Sequence, residues 1–202
     1  MVIGLKKITE NEYTDDLNQA EVKRISTYGS LKRRLEAYSS LRLLKLMLRE
    51  KGITDFEIER CKSGKPYLIN IDLFFNLSHS FEYSSCVIAS VEVGIDIEKI
   101  SSKANKITSR FLHPDELKNH TLKHFSDEEL TTIWTVKEAY SKLISRGLTK
   151  RFNSLKVIKH DGYYEIVDGT DKCFAKSFKY DNYIVTVSAY KLTDITNEIK
   201  IY

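Results

Sequence analysis

Asp96 and Glu98 stand two residues apart in the segment Gly94-Ile95-Asp96-Ile97-Glu98. On a strand this spacing sends both carboxylates to one face and Ile95 and Ile97 to the other. The plainer consequence is an amphipathic strand with a solvated acidic face. The chemical one is a hard-cation site, since Mg²⁺ takes oxygen ligands and is held by one or two carboxylates together with substrate phosphates. A second group lies in WTVKEAYSKLI. At about 100° per residue, a helix there places Trp134, Lys137, Glu138, Ser141 and Lys142 on one side and Val136, Ala139, Tyr140 and Leu143 on the other. On a solvated surface, Glu138 and Lys142 form an i,i+4 pair worth about 0.2–0.5 kcal/mol. In a site, Glu138 adds a third carboxylate for a metal, and Lys137 and Lys142 offer two cations to phosphate oxygens from one rigid element.

Weaker signals precede these. Asn76-Leu77-Ser78-His79-Ser80 supplies hydroxyl and imidazole groups that donate hydrogen bonds to a phosphate or purine, although a satisfied turn uses the same residues. Lys65-Pro66 sets a cation beside a fixed backbone, and Lys32-Arg33-Arg34 clusters positive charge at a predicted helix start.

The elements that must position these groups follow from periodicity. Val2 to Ile8 reads as a short strand. Leu35, Leu41, Leu44 and Leu48 fall at helical spacing within a long amphipathic helix over Leu31–Lys51, with Gly52 as its stop. DFEIER alternates as a half-buried strand does, and LFFNLSHS, SSCVIASV and GIDIE read as three further strands, the middle one fully buried. Helical segments are predicted around Ala104 to Phe111 and Pro114 to Lys123. Ser126 and Glu129 have capping-box spacing before a helix that runs to about Arg146 and ends at Gly147. The remaining chain reads mostly as sheet.

A shift of 97 residues lays Ser80-Phe81-Glu82-Tyr83 over Ser177-Phe178-Lys179-Tyr180 and Lys45-Leu46 over Lys142-Leu143. The expectation is an α/β (α+β) protein of two similar halves, residues 1–100 and 101–202, with a cleft between them.

Composition bounds the function. The 202 residues are 42% hydrophobic and 30% charged with only 8 Gly and 2 Pro, which excludes collagen-like, linker-rich and wholly disordered classes. A net charge of +4 suits an anionic ligand and is too mild to imply nucleic-acid binding, for which no aromatic-basic repeat is present. Three widely spaced cysteines without a CxxC pair fit neither a disulfide framework nor a thiolate metal site and point to a reducing compartment. No signal-peptide core or spanning segment is visible, so a cytoplasmic, unanchored protein is expected.

In order and spacing, GKP, NLSHS, GIDIE, FLHPDE and WTVKEAYSK together resemble the Sfp-type 4′-phosphopantetheinyl transferases, the class with a WxxKEA signature. The resemblance spans about residues 30 to 150 and implies a pseudo-twofold α/β architecture with the active site between its halves. It implies transfer of the phosphopantetheine arm of coenzyme A to a serine of an apo carrier protein, releasing 3′,5′-ADP. Asp96, Glu98 and Glu138 would bind Mg²⁺, and Lys142 would hold the pyrophosphate. Lys65, Pro66, Ser78 and His79 match nucleotide-binding positions, with His79 at the 3′-phosphate and Arg33 or Arg34 beside the first helix. Glu138 or Glu116 would take the serine proton. A site between halves of one chain suits a monomer. The alternative is a noncatalytic module that binds a Mg-nucleotide or a carrier protein.

Overall fold

A computed structural model describes residues 1–9, 16–62, 64–145 and 151–202. In chain order its elements are β1 (Val2–Lys7), α1 (Gln19–Ser26), α2 (Leu31–Glu50), β2 (Ile58–Arg60), β3 (Pro66–Leu68), β4 (Phe74–Ser80), β5 (Tyr83–Ala89) and β6 (Gly94–Lys99). They continue with α3 (Thr108–Phe111), α4 (Pro114–Lys123), α5 (Asp127–Leu143), β7 (Lys156–Lys159), β8 (Tyr164–Asp168), β9 (Asp171–Tyr180), β10 (Tyr183–Ala189) and β11 (Ile199–Ile201).

The two long helices start and stop where their chemistry dictates. Ser30 accepts a hydrogen bond from the Arg33 backbone at the start of α2. After its end Gly52 takes φ 76°, with the Gly52 and Ile53 amides donating back to Arg49 and Leu48 carbonyls. Ser126 and Glu129 close the capping box of α5 in both directions. The predicted stop at Arg146 and Gly147 lies outside the described residues. The sequence reading passed over α1, although Asn18 and Glu21 form a second capping box there.

Two main sheets stack, with strand orders β11-β1-β5-β4 and β6-β10-β9-β8-β7. Ile3, Leu5 and Val87 of the first meet Ile95, Ile97, Val185 and Val187 of the second in a shared core. Leu43, Leu44 and Leu48 of α2 cover the outer face of the first sheet through Phe75, Cys86 and Ile88. Val136 and Tyr140 of α5 cover the second sheet through Ile166, Cys173 and Ala175. Each helix thus buries its apolar stripe on its own sheet, which supplies most of its stability.

The halves do not separate at residue 100. Strand β6 pairs antiparallel with β10, Asp96 opposite Thr186, and β11 pairs parallel with β1. Each half therefore gives a strand to the other's sheet. The repeat also has a different register from the predicted shift of 97. Hairpin β4-β5 turns through Phe81-Glu82 between the paired Ser80 and Tyr83, and β9-β10 turns through Asp181-Asn182 between Tyr180 and Tyr183. The corresponding hairpin positions thus differ by 100, and Phe81 and Asp181 take φ 50° and 49°. The identities at 97 placed a loop against a strand, because short matches are blind to turn geometry.

Gly94 opens β6 beneath α5. A Cβ there would collide with the Ala139 carbonyl oxygen and lie 2.7 Å from the Leu143 nitrogen, both of them backbone atoms. Replacing Gly94 by Ala is expected to destabilise the fold by about 3 kcal/mol, the upper end for overpacking, because neither backbone atom has a rotamer to change. At this chain length that loss lowers Tm by roughly 6–12 °C. Gly29→Ala, where nothing lies within 4 Å, should leave Tm within experimental scatter. Thermal melts of the two variants check this.

Candidate functional site

Strand β6 carries Ile95 and Ile97 into the shared core and turns Asp96 and Glu98 the other way. Asp96 is only 4% exposed. One of its oxygens, Oδ1, accepts hydrogen bonds from Ser78 Oγ of β4 and Lys142 Nζ of α5, each at 2.8 Å. Lys142 Nζ also reaches Ser78 Oγ at 2.7 Å. Ser80 Oγ donates to Glu98 at 2.8 Å. Alternation along β4 explains the division, since Ser78 and Ser80 turn to β6 while Leu77 and His79 turn to α2.

Three carboxylates crowd this spot. Burial, reinforced by the charge of Asp96, pushes the Glu98 carboxyl up to about 7, against the hydrogen bond from Ser80. Glu138 of α5 is likewise pushed up to about 7 by burial and then by Asp96 and Glu98, with Lys142 opposing. The second Asp96 oxygen, Oδ2, is buried with no partner among the described residues. The chemistry of an unpartnered carboxylate oxygen with two further carboxylates nearby, all oxygen donors, suits a hard divalent cation. No three His, Cys, Asp or Glu side chains among the described residues are already gathered as a ligand set.

A cavity of about 630 Å³ opens beside the carboxylates. Arg33, Lys65, Pro66, His79 and Lys142, all singled out in the sequence, line it. Lys65 Nζ donates to the Leu143 carbonyl at 3.3 Å and bridges the cavity wall to the end of α5, and burial lowers its pKa. His79 Nδ1 sits 3.4 Å from Glu36. Burial lowers its pKa while Glu36 works against that shift. Of the two arginines Arg33 lines the cavity, whereas the Arg34 guanidinium donates to the Tyr28 carbonyl at 3.1 Å and is not among the lining residues.

Lys137 and Glu116 lie elsewhere. Lys137 is 0% exposed, with Nζ donating to the Phe111 carbonyl at 2.7 Å and to Glu116 Oε2 at 2.6 Å. Glu116 also accepts from the backbone amides of His113 and Val157. Both its oxygens are thus committed to holding α4 against α5 and β7. Trp134 packs edge-on against Phe111 and Phe152. The helical side drawn from the sequence was too wide: five residues at about 100° each set Lys137 and Lys142 roughly 140° apart. Only the Glu138 and Lys142 edge of it meets the carboxylates.

The sequence reading missed Arg24, Glu36 and Arg60, which also line the cavity. Arg24 bonds the Tyr28 hydroxyl at 3.0 Å, and burial together with the charge of Arg24 lowers the Arg60 pKa. The capping box of α1 was the available signal for Arg24. Nothing local marks Arg60, which reads as one more exposed charge in DFEIER.

These placements separate structural from site roles. Glu116→Ala leaves Lys137 as an uncompensated buried charge and should cost about 3–5 kcal/mol in denaturant unfolding. Glu138→Gln removes one of three crowded carboxylates and should leave the unfolding midpoint unchanged or raised.

Residues 92–188, from just before β6 to the penultimate residue of β10, match the family model of the 4′-phosphopantetheinyl transferase superfamily. A "4′-phosphopantetheinyl transferase" of Bacillus subtilis is 34% identical over 124 residues, covering 58% of this chain and 55% of the relative. The "4′-phosphopantetheinyl transferase gsp" of Aneurinibacillus migulanus is 36% identical over 104 residues, covering 48% and 41%. The "4′-phosphopantetheinyl transferase Sfp" of Bacillus subtilis strain 168 is 30% identical over 135 residues, covering 63% and 60%. The chain spans about half the length of the curated relatives it matches. The matched segment holds β6 with Asp96 and Glu98, α5 with Glu138 and Lys142, and β10, against which β6 is paired; it is through this segment that the chain is similar to the 4′-phosphopantetheinyl transferase superfamily.

Proposed function

We propose that this protein transfers the 4′-phosphopantetheine arm of coenzyme A to a serine hydroxyl of an apo carrier protein, giving holo carrier and 3′,5′-ADP. The observation that carries the reading is the junction at Lys142, where a cavity lined by Arg24, Arg33, Arg60, Lys65 and His79 meets the Asp96, Glu98 and Glu138 carboxylates. A nucleotide bearing several phosphates needs such a cationic wall. A pyrophosphate under attack needs an oxygen-ligated cation beside it. The names of the relatives agree with this chemistry.

Asp96, Glu98 and Glu138 would hold Mg²⁺, which when bound neutralises charge on the pyrophosphate. The chain's own groups do the rest. Lys142, fixed by Ser78, presents its ammonium to the pyrophosphate side of the junction. Arg33, Lys65 and His79 bind the nucleotide, with His79 oriented by Glu36 toward the 3′-phosphate. Asn76 borders the cavity, and its buried Oδ1 has no partner among the described residues. Glu138 accepts the proton of the carrier serine at its carboxylate. Glu116 is unsuited to that task, since both its oxygens are committed. Among the described residues no helix is long and apolar enough to cross a membrane, and a cytoplasmic monomer is the form in which we expect the activity.

Incubation with coenzyme A, Mg²⁺ and candidate apo carriers should give the mass of the phosphopantetheinylated product. Asp96→Ala should abolish that product without loss of fold, and Glu138→Gln should lose far more turnover than coenzyme A affinity. Coenzyme A binding without product formation in a panel of apo carriers would leave the noncatalytic binding module as the better reading. His79→Ala should weaken coenzyme A by about 10-fold or more, the loss of a charge-assisted hydrogen bond, and 3′-dephospho-coenzyme A much less. Calorimetry with the two ligands checks this, and equal losses would remove His79 from the 3′-phosphate.

A further inference from the structure

The two hairpins share one turn geometry and fill its strained position differently. Asp181 takes φ 49°, a conformation that Asp tolerates, and its carboxylate accepts a hydrogen bond from Tyr83 at 3.3 Å. Phe81 takes φ 50° at the matching place, where a bulky side chain is unfavourable, and remains 44% exposed. Three ammonium groups surround its ring, those of Lys32, Lys103 and Lys99, at 4.7, 5.1 and 5.4 Å from the centroid. One cation satisfies the face of a ring; three like charges around it repel one another. Lys32 is relieved by Glu36 at 3.7 Å, and the charge of Lys103 acts on Glu98. The patch lies beside the carboxylates, since Ser80, which bonds Glu98, precedes Phe81, and Lys99 follows Glu98 in β6.

We infer that Phe81, Lys32, Lys99 and Lys103 form the docking surface for the carrier protein, through an acidic helical face that surrounds an apolar side chain. An apolar anchor enclosed by three cations complements that chemistry, with the ring giving buried contact and the lysines steering approach and register. Its place beside Glu98 brings a serine next to that face to the carboxylate end of the cleft. The assignment rests on the proposed transferase reading.

Phe81→Gly removes the anchor and relieves the backbone, so the variant should melt at or above the wild-type temperature. It should raise the carrier KM about 10-fold or more, the scale of an interface anchor, with the coenzyme A KM unchanged. Lys103→Glu should do the same, and the wild-type carrier KM should rise steeply with salt. Calorimetric titration of an acidic apo carrier into the full chain reads docking without chemistry. Wild-type protein that binds this carrier through Phe81 and Lys103 but transfers nothing would overturn the transferase reading and leave the surface standing. Transfer with a carrier KM untouched by both variants would overturn the surface alone. Loss of binding to phosphatidylserine vesicles in the variants, with carrier KM unchanged, would overturn it in favour of a membrane contact.

Discussion

Everything at the candidate site depends on how closely α5 lies on β6. Gly94 allows the helix backbone to come into contact with the strand backbone, where any side chain would intervene. A chain of hydroxyls then fixes the helix in place, the buried Thr135 to Thr186 at 2.7 Å and the half-buried Ser177 to Thr186 at 2.8 Å. With position and rotation both set, Glu138 shares the electrostatic environment of Asp96 and Glu98, and Lys142 reaches Asp96. A helix held a side chain's width further off would place the same residues on an ordinary solvated face.

Strand exchange makes that contact possible. Strand β6 is hydrogen-bonded to β10 on one edge and faces Ser78 and Ser80 of β4 from the other sheet on its opposite side. The carboxylates therefore stand at the seam of two sheets. Each sheet is anchored by its own helix, and the strand at the seam belongs in sequence to the first half and in pairing to the second. Hydroxyls from one sheet and an ammonium from α5 meet the carboxylates there, so residues far apart in the chain converge on one buried oxygen.

The two ion pairs of α5 show how similar residues acquire opposite roles. Lys137 and Glu116 are enclosed, each satisfied by backbone groups as well as by the other, and serve to join elements. Lys142 and Asp96 are open on one side, with a cavity before the lysine and an unpartnered oxygen on the carboxylate. A buried pair that is fully satisfied is inert toward ligands, whereas a partly satisfied one is poised to take up another charge.

Local chemistry determined much of this in advance. The capping boxes, the glycine stop at Gly52, the period-two alternation of GIDIE and the leucine spacing of α2 are set by neighbours within a few residues, and these elements form where the sequence places them. The order of motifs was enough to identify the family resemblance. Tertiary structure alone decided which strands pair across the midpoint and which arginine of α2 faces the cavity. It also decided that Arg24 and Arg60 join it, and that Lys137 and Glu116 satisfy each other away from the cleft. A helix's sequence gives the angles between its side chains but not the direction in which the helix is turned, and that direction is set by what packs against it: here the bare backbone of Gly94 on one side and Phe111 on another.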